Sequence, residues 1–220
     1  MIAARVLRAR GGVVVAACAL AYLPFTLLGY GTDIDVGNIL RAGGMVLEGD
    51  GYHLSRPPGA VIHEVGTALL DRIGGSVLVN LASVAFASAT LWAVHELARR
   101  DGARWPAWVV LLVAANPWFW IAATSLGDYT WALGFALNGA LQASRGRRFL
   151  GGVLFGLSLG CRSSTVLLVL AWLVAERLGD RDRRPSWRDS GTTAAAVAVV
   201  GALCFVPAWW AADQSLAFLR

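Results

Sequence analysis

The chain has 220 residues, 57% of them hydrophobic and only 15% charged, with a formal net charge of +5. A soluble domain carries about a quarter charged residues, so this composition argues against an ordinary soluble enzyme and for a polytopic helical membrane protein. The positive balance does not point to nucleic acid: all 19 basic residues are arginines, spread between apolar runs rather than gathered in one patch, and topology accounts for them better than an RNA or DNA partner does.

The first apolar run, 11–30, is long enough to cross a bilayer and follows Arg5, Arg8 and Arg10. A cleaved signal peptide has the same beginning, but with further spans following, an uncleaved first span is the better expectation. A polar external loop then covers 31–75. Within it Val36, Ile39, Leu40 and Leu47 recur at helical spacing and predict a short amphipathic helix on the membrane surface. Pro57-Pro58 interrupts it, and 60–72 predicts a second surface helix, too short and too charged to span.

Gly74-Gly75 breaks that helix, and a second span is expected at 76–97. A third, at 105–124, is interrupted by Asn116-Pro117, and a short fourth covers 129–143. The run 149–178 is apolar except for Arg162, Glu176 and Arg177, and a last span covers 192–212. Arginines fix the orientation. Arg5, Arg8, Arg10, Arg99, Arg100, Arg104, Arg145, Arg147, Arg148 and the loop from Arg177 to Arg188 all belong inside by the positive-inside tendency. That requires 149–178 to go out and come back, as a hairpin bent near 160–164; the rival is one straight helix with a buried arginine. The expectation is therefore an all-α protein, one module over 1–220, with about seven membrane crossings, short juxtamembrane helices in the first external loop and a cytoplasmic N-terminus.

This topology gathers Asp33, Asp35, Arg56, His63, Glu64, Asp128, Tyr129 and Arg162 at the outer face, from four separate parts of the chain. Acids and arginines converging beside apolar spans mark a candidate site. Arginine forks suit the paired oxygens of a phosphate, and a carboxylate in reach of a hydroxyl can take its proton. Asp33 and Asp35, one residue apart, are also the candidates for holding a divalent cation, Mg or Mn, which prefers oxygen ligands.

Plainer roles compete at each position. Asp33 and Asp35 can cap the helix that starts near Val36. His63-Glu64 lacks the second histidine of a metalloprotease motif, and Glu64 can pair with a nearby arginine at the surface. Asp128 can be an ordinary interfacial acid, and Arg162 can snorkel to headgroups. Trp105, Trp108, Trp118, Trp120, Trp131, Trp209 and Trp210 fall near span ends, where aromatic belts form. Gly152, Gly156 and Gly160 suit close helix packing, and Cys18, Cys161 and Cys204 read as small buried hydrophobes rather than a metal site or disulfide.

Four motifs in this order resemble the GT-C superfamily of integral-membrane glycosyltransferases: Asp33-Ile-Asp35 in the first external loop, Ser55-Arg-Pro-Pro-Gly-Ala-Val-Ile-His-Glu64 after it, then Asn116-Pro-Trp-Phe-Trp120 with Gly127-Asp-Tyr129, and Gly156-Leu-Ser-Leu-Gly-Cys-Arg162. The likeness covers about 8–188. It implies an inverting transfer of a hexosyl or pentosyl group from a polyprenyl-phosphate-linked donor, in the style of mannosyl- and arabinosyltransferases. The acceptor would be a glycan, lipid or protein on the outer face of the plasma membrane, in the cell envelope. By the same likeness Asp33 is the catalytic acid/base, Asp35 its support or a metal ligand, and Arg56 and Arg162 face phosphate.

Members of that group are longer, with further spans and an external domain. This chain is therefore expected to be a minimal module, a truncated form, or a chain whose partner supplies the external domain. Its partners would be the lipid-linked donor, the acceptor and membrane lipids. Two other classes compete: a non-catalytic or partial subunit of a glycosyltransferase complex, and a transporter or lipid flippase, which would show charges along a through-path and repeated halves.

Overall fold

The computed structural model describes residues 2–32, 35–179 and 184–211, with the side chains of all of these except 2–10. Every regular element among the described residues is a helix. In chain order these are α1 (Ile2–Tyr22), a 3₁₀ turn (Leu23–Leu27), α2 (Asp35–Glu48), α3 (Val61–Arg100), α4 (Pro106–Ala114), α5 (Pro117–Thr124), α6 (Asp128–Ser144), α7 (Arg148–Cys161), α8 (Thr165–Leu178) and α9 (Trp187–Ala211). The amphipathic helix expected in the first polar loop is α2, which buries Ile39, Ala42 and Gly43 against α3.

The longest helix, α3, is two arms in one run of hydrogen bonds. Gly74 and Gly75 are non-helical, and Gly75 lies at φ +59°, a conformation that costs a residue with Cβ more than it costs glycine. The first arm, 61–73, is the second predicted surface helix; the second arm, 76–100, is the predicted span. At 1.5 Å per residue the second arm is roughly 37 Å long, enough for a hydrocarbon core of about 30 Å.

The break at Asn116-Pro117 falls where the sequence puts it. Asn116 caps α5 by accepting from Trp118 N at 2.9 Å and Phe119 N at 3.4 Å, and α4 and α5 meet at a 71° bend. The predicted hairpin also forms. α7 stops at Cys161, α8 starts at Thr165, and Arg148 at the start of α7 pairs with Glu176 near the end of α8 at 2.7 Å. α9 then runs parallel to α7: a Cβ at Gly152 would meet Thr193 and Ala196, at Gly156 Val200, and at Gly160 Cys204. The three glycines are the groove into which α9 fits.

Seven segments thus run back and forth between two polar ends: α1, the second arm of α3, the α4–α5 pair, α6, α7, α8 and α9. Seven membrane crossings do not follow. Among the described residues only α3 and α9 are long and apolar enough to cross a membrane, or three spans if the bent α4–α5 pair counts as one. The physical reason is length: α7 and α8 have 14 residues each, roughly 21 Å at helical rise. The outer faces of α4, α8 and α9 carry exposed Trp108, Leu112, Leu167, Leu170, Leu203 and Trp210, a surface suited to hydrocarbon rather than water.

Trp131 departs from the aromatic belt expected for it. It is buried, stacked on Phe86 at 4.4 Å between ring centroids and edge-on to His63 at 5.3 Å. Cys161 and Cys204 are free and buried and Cys18 is half-buried, as small apolar side chains would be.

One end collects charge that the first arm does not share. Glu96 on α3 receives Arg99 at 2.9 Å and Arg145 at 3.0 Å, while Arg100 donates to the Ser144 carbonyl at 2.6 Å. Gly11 of α1 sits against His95 at this same end, which places the N-terminal side of α1 with the arginines.

The seat of α2 on the first arm of α3 gives a direct check on the packing. A methyl at Gly43 would run into the Glu64 carbonyl and the Ala68 methyl, whereas one at Gly44 meets nothing within 4 Å. Gly43→Ala is expected to destabilise the fold by about 1–3 kcal/mol. Gly44→Ala, on a free helical surface, is expected to be neutral or to stabilise by up to about 1 kcal/mol. Thermal unfolding of the two variants in detergent measures the difference.

Candidate functional site

At the end opposite Glu96, four charged side chains from four parts of the chain join in sequence. Arg56, in the loop before α3, donates from Nη1 to Asp35 Oδ2 at 3.2 Å and from Nη2 to Asp128. Arg162, in the break between α7 and α8, donates from Nη1 to Asp128 Oδ1 at 2.9 Å and Oδ2 at 3.2 Å. Its guanidinium lies 4.0 Å over the Tyr129 ring and its Nε donates to Ser164 Oγ at 3.2 Å. Asp128 is 2% exposed, while Arg56 and Arg162 remain 30% and 29% exposed.

The Asp128 carboxylate is the pivot. It opens α6, where the helix N-terminus favours a negative charge, and Gly127 in extended backbone leads into it. A carboxylate buried this far needs compensation, and two guanidinium groups give it. Neither the interfacial acid nor the snorkelling arginine describes these residues: each charge has a partner inside the bundle. Each guanidinium has five N–H donors and spends only some of them here, so both keep donors toward the exposed side.

Asp35 is the first residue of α2 and also accepts from Arg56, so helix initiation and ion pairing coincide there. Asp33 lies outside the described residues, and so does any metal pair it would form with Asp35. Among the described residues no group of three or more His, Cys, Asp or Glu is arranged to hold a metal ion.

His63 and Glu64, expected among the residues that form the outer-face site, lie behind it. Both are fully buried. Instead of an exposed pair with arginine, Glu64 accepts from Tyr52 Oη at 2.5 Å, from Ser55 N at 3.3 Å and from Ser55 Oγ. This carboxylate pins the strap 52–56 at two points, and Arg56 is the next residue after the second pin. Burial, then the Glu64 charge, push the Tyr52 phenol up, so Tyr52 keeps its proton and donates. The strap closes in a turn in which Gly59 N donates to Arg56 O at 2.7 Å. Gly59 sits at φ +102°, and a Cβ there would lie 2.5 Å from the Tyr52 hydroxyl. His63 is edge-on to Trp131, and both its ring nitrogens are without a hydrogen-bond partner among the described residues.

The structure therefore brings together Asp35, Arg56, Asp128, Tyr129 and Arg162, and sets His63 and Glu64 behind them as support. Tyr52 and Ser55 were missed from the sequence. They precede Glu64 by 12 and 9 residues, in a loop without a repeat that would align them. Comparisons with family models, with curated proteins and with solved structures give no match.

Tyr52→Phe removes one of the donors to a buried carboxylate while keeping the ring. It is expected to cost about 1–3 kcal/mol, read as a lower unfolding midpoint in detergent. Ser55→Ala, which removes the hydroxyl but keeps the backbone donor, is expected to cost less.

Proposed function

We propose that this chain is a membrane glycosyltransferase module of GT-C type, moving a sugar from a polyprenyl-phosphate donor to an acceptor hydroxyl outside the cytoplasm. The observation that carries this proposal is the chain Asp35–Arg56–Asp128–Arg162 at one end of an apolar helical bundle. In this reading the arginine-rich end with Glu96, Arg99 and Arg145 faces the cytoplasm of a plasma-membrane protein. The ionic chain then opens to the outer surface.

The reaction makes distinct demands on the residues. The acceptor oxygen attacks the anomeric carbon from the face opposite the leaving phosphate. The bond from that carbon to the phosphate oxygen breaks with its electron pair on the phosphate, and the acceptor proton passes to Asp33. Arg56 and Arg162 would hold the departing phosphate with the N–H groups that Asp128 leaves to them. Asp35 would hold Arg56 or, with Asp33, a divalent cation. Asp128 touches no reacting atom in this scheme; it fixes two cations at one spacing.

A second reading has one observation in its favour. Asp35, Arg56, Asp128 and Arg162 balance their charges among themselves, as a purely structural network in a non-catalytic subunit would.

Proteoliposomes holding the full chain, supplied with radiolabelled polyprenyl-phosphate sugars and a membrane-glycan extract, with and without chelator, distinguish the two. Transfer is expected. Asp33→Ala is expected to lower it by about 10²–10⁴-fold, the scale of a general base, and Arg162→Gln to lower it as well. Undiminished transfer by Asp33→Ala would overturn the assignment, and no transfer by the wild-type chain would favour the subunit.

A further inference from the structure

Asp35 and Arg56 face each other across the start of a cleft between α2 and the strap 52–56. The same two elements continue past them. Asn38 and Ala42 lie three and seven residues after Asp35, on the same side of α2, so the cleft floor runs on at one and two helical turns of about 5.4 Å each. On the strap, His53 and Leu54 sit between the two residues pinned by Glu64. Asn38, Arg41, Ala42, His53 and Leu54 together line a recess of about 210 Å³.

The chemistry of the lining is directional. Arg41 is a cation that makes no ion pair or hydrogen bond among the described residues, in contrast to Arg56, Arg72, Arg99, Arg145, Arg148 and Arg162, which all pair with a carboxylate. His53 is likewise without a partner among the described residues, and Asn38 adds an amide. No carboxylate among the described residues lines the recess. An arginine fork flanked by an imidazole and an amide is a donor set for an anion with several oxygens.

We propose that this recess binds the anionic head of the acceptor, a phosphate carried on a polyol, at the end of α2 that Asp35 begins. The acceptor role rests on the transferase reading given above; binding of the anion does not. The strap sets the distance: Glu64 fixes Tyr52 and Ser55, and with them His53 in the recess and Arg56 at the ionic chain.

The probe is glycerol 3-phosphate, with glycerol as its uncharged counterpart, titrated by calorimetry into the full chain in phosphatidylcholine nanodiscs. Glycerol 3-phosphate is expected to bind and glycerol not to. Arg41→Gln is expected to weaken binding about tenfold or more, the loss of one charge-assisted contact, and His53→Gln to weaken it by a smaller factor. Arg104→Gln, at the opposite end of the bundle where Arg104 lies over the Trp105 ring, is expected to leave it unchanged. Nanodiscs containing phosphatidylglycerol identify the source of the phosphate: competition assigns the recess to a lipid headgroup, and its absence to a soluble acceptor. No binding, or binding that Arg41→Gln leaves intact, or an equal loss in Arg104→Gln, overturns the proposal. Because this readout needs no turnover, retained binding without sugar transfer would remove the transferase reading and leave the anion site standing.

Discussion

A single buried carboxylate organises the polar end of this molecule. Asp128 is almost wholly out of solvent and meets guanidinium groups from two loops far apart in the chain, Arg56 before α3 and Arg162 between α7 and α8. Either partner alone would leave a short carboxylate poorly compensated in apolar surroundings. With both present, three pieces of chain must meet within a few ångströms. The rest of the end follows from that requirement: α7 must stop at Cys161 so that Arg162 turns inward, and the strap must run along α2 so that Arg56 reaches across to Asp35.

The supporting layer has its own logic. Glu64 is buried without an ion-pair partner among the described residues, and the groups that satisfy it are neutral donors from the strap. Ionic compensation at Asp128 and hydrogen-bond compensation at Glu64 solve the same desolvation problem by different means, side by side. The first leaves two guanidinium groups partly exposed with donors to spare. The second makes a loop of two flanking pins, so the residues between and beyond them have set positions. Chemistry at a membrane surface benefits from both, because a ligand then meets groups that are already oriented.

Much of this was legible in the sequence. Apolar run lengths, Gly74-Gly75, Asn116-Pro117 and Gly160-Cys-Arg-Ser-Ser164 mark breaks that need only local chemistry, and the helices turn or stop there. Arginine asymmetry gave the shared end for Asp35, Arg56, Asp128 and Arg162, since a charge placed on the wrong end would have broken the alternation. What failed depended on tertiary partners. Run lengths together with the positive-inside pattern of the arginines suggest seven crossings, but the helices on either side of Arg162 are short, and among the described residues only two to three spans have the required length. Trp131 was taken for an interfacial ring because it lies one turn into a span; Phe86 and His63, which bury it, are 45 and 68 residues away. Glu64 is expected in the outer-face site, with an exposed arginine pair as its plainer role, because nothing local to it says that Tyr52 and Ser55 cover it.

The convergence of distant charges is what everything else depends on, and a double-mutant cycle tests it most directly. Unfolding free energies in detergent are measured for the wild-type chain, Asp128→Asn, Arg162→Gln and the double variant. Residues paired in the folded bundle require a coupling of about 0.5–3 kcal/mol, so that the double variant is less impaired than the sum of the singles. Additivity within about 0.3–0.5 kcal/mol, the behaviour of sites that do not touch, would contradict the pairing of Arg162 with Asp128 and, with it, the site.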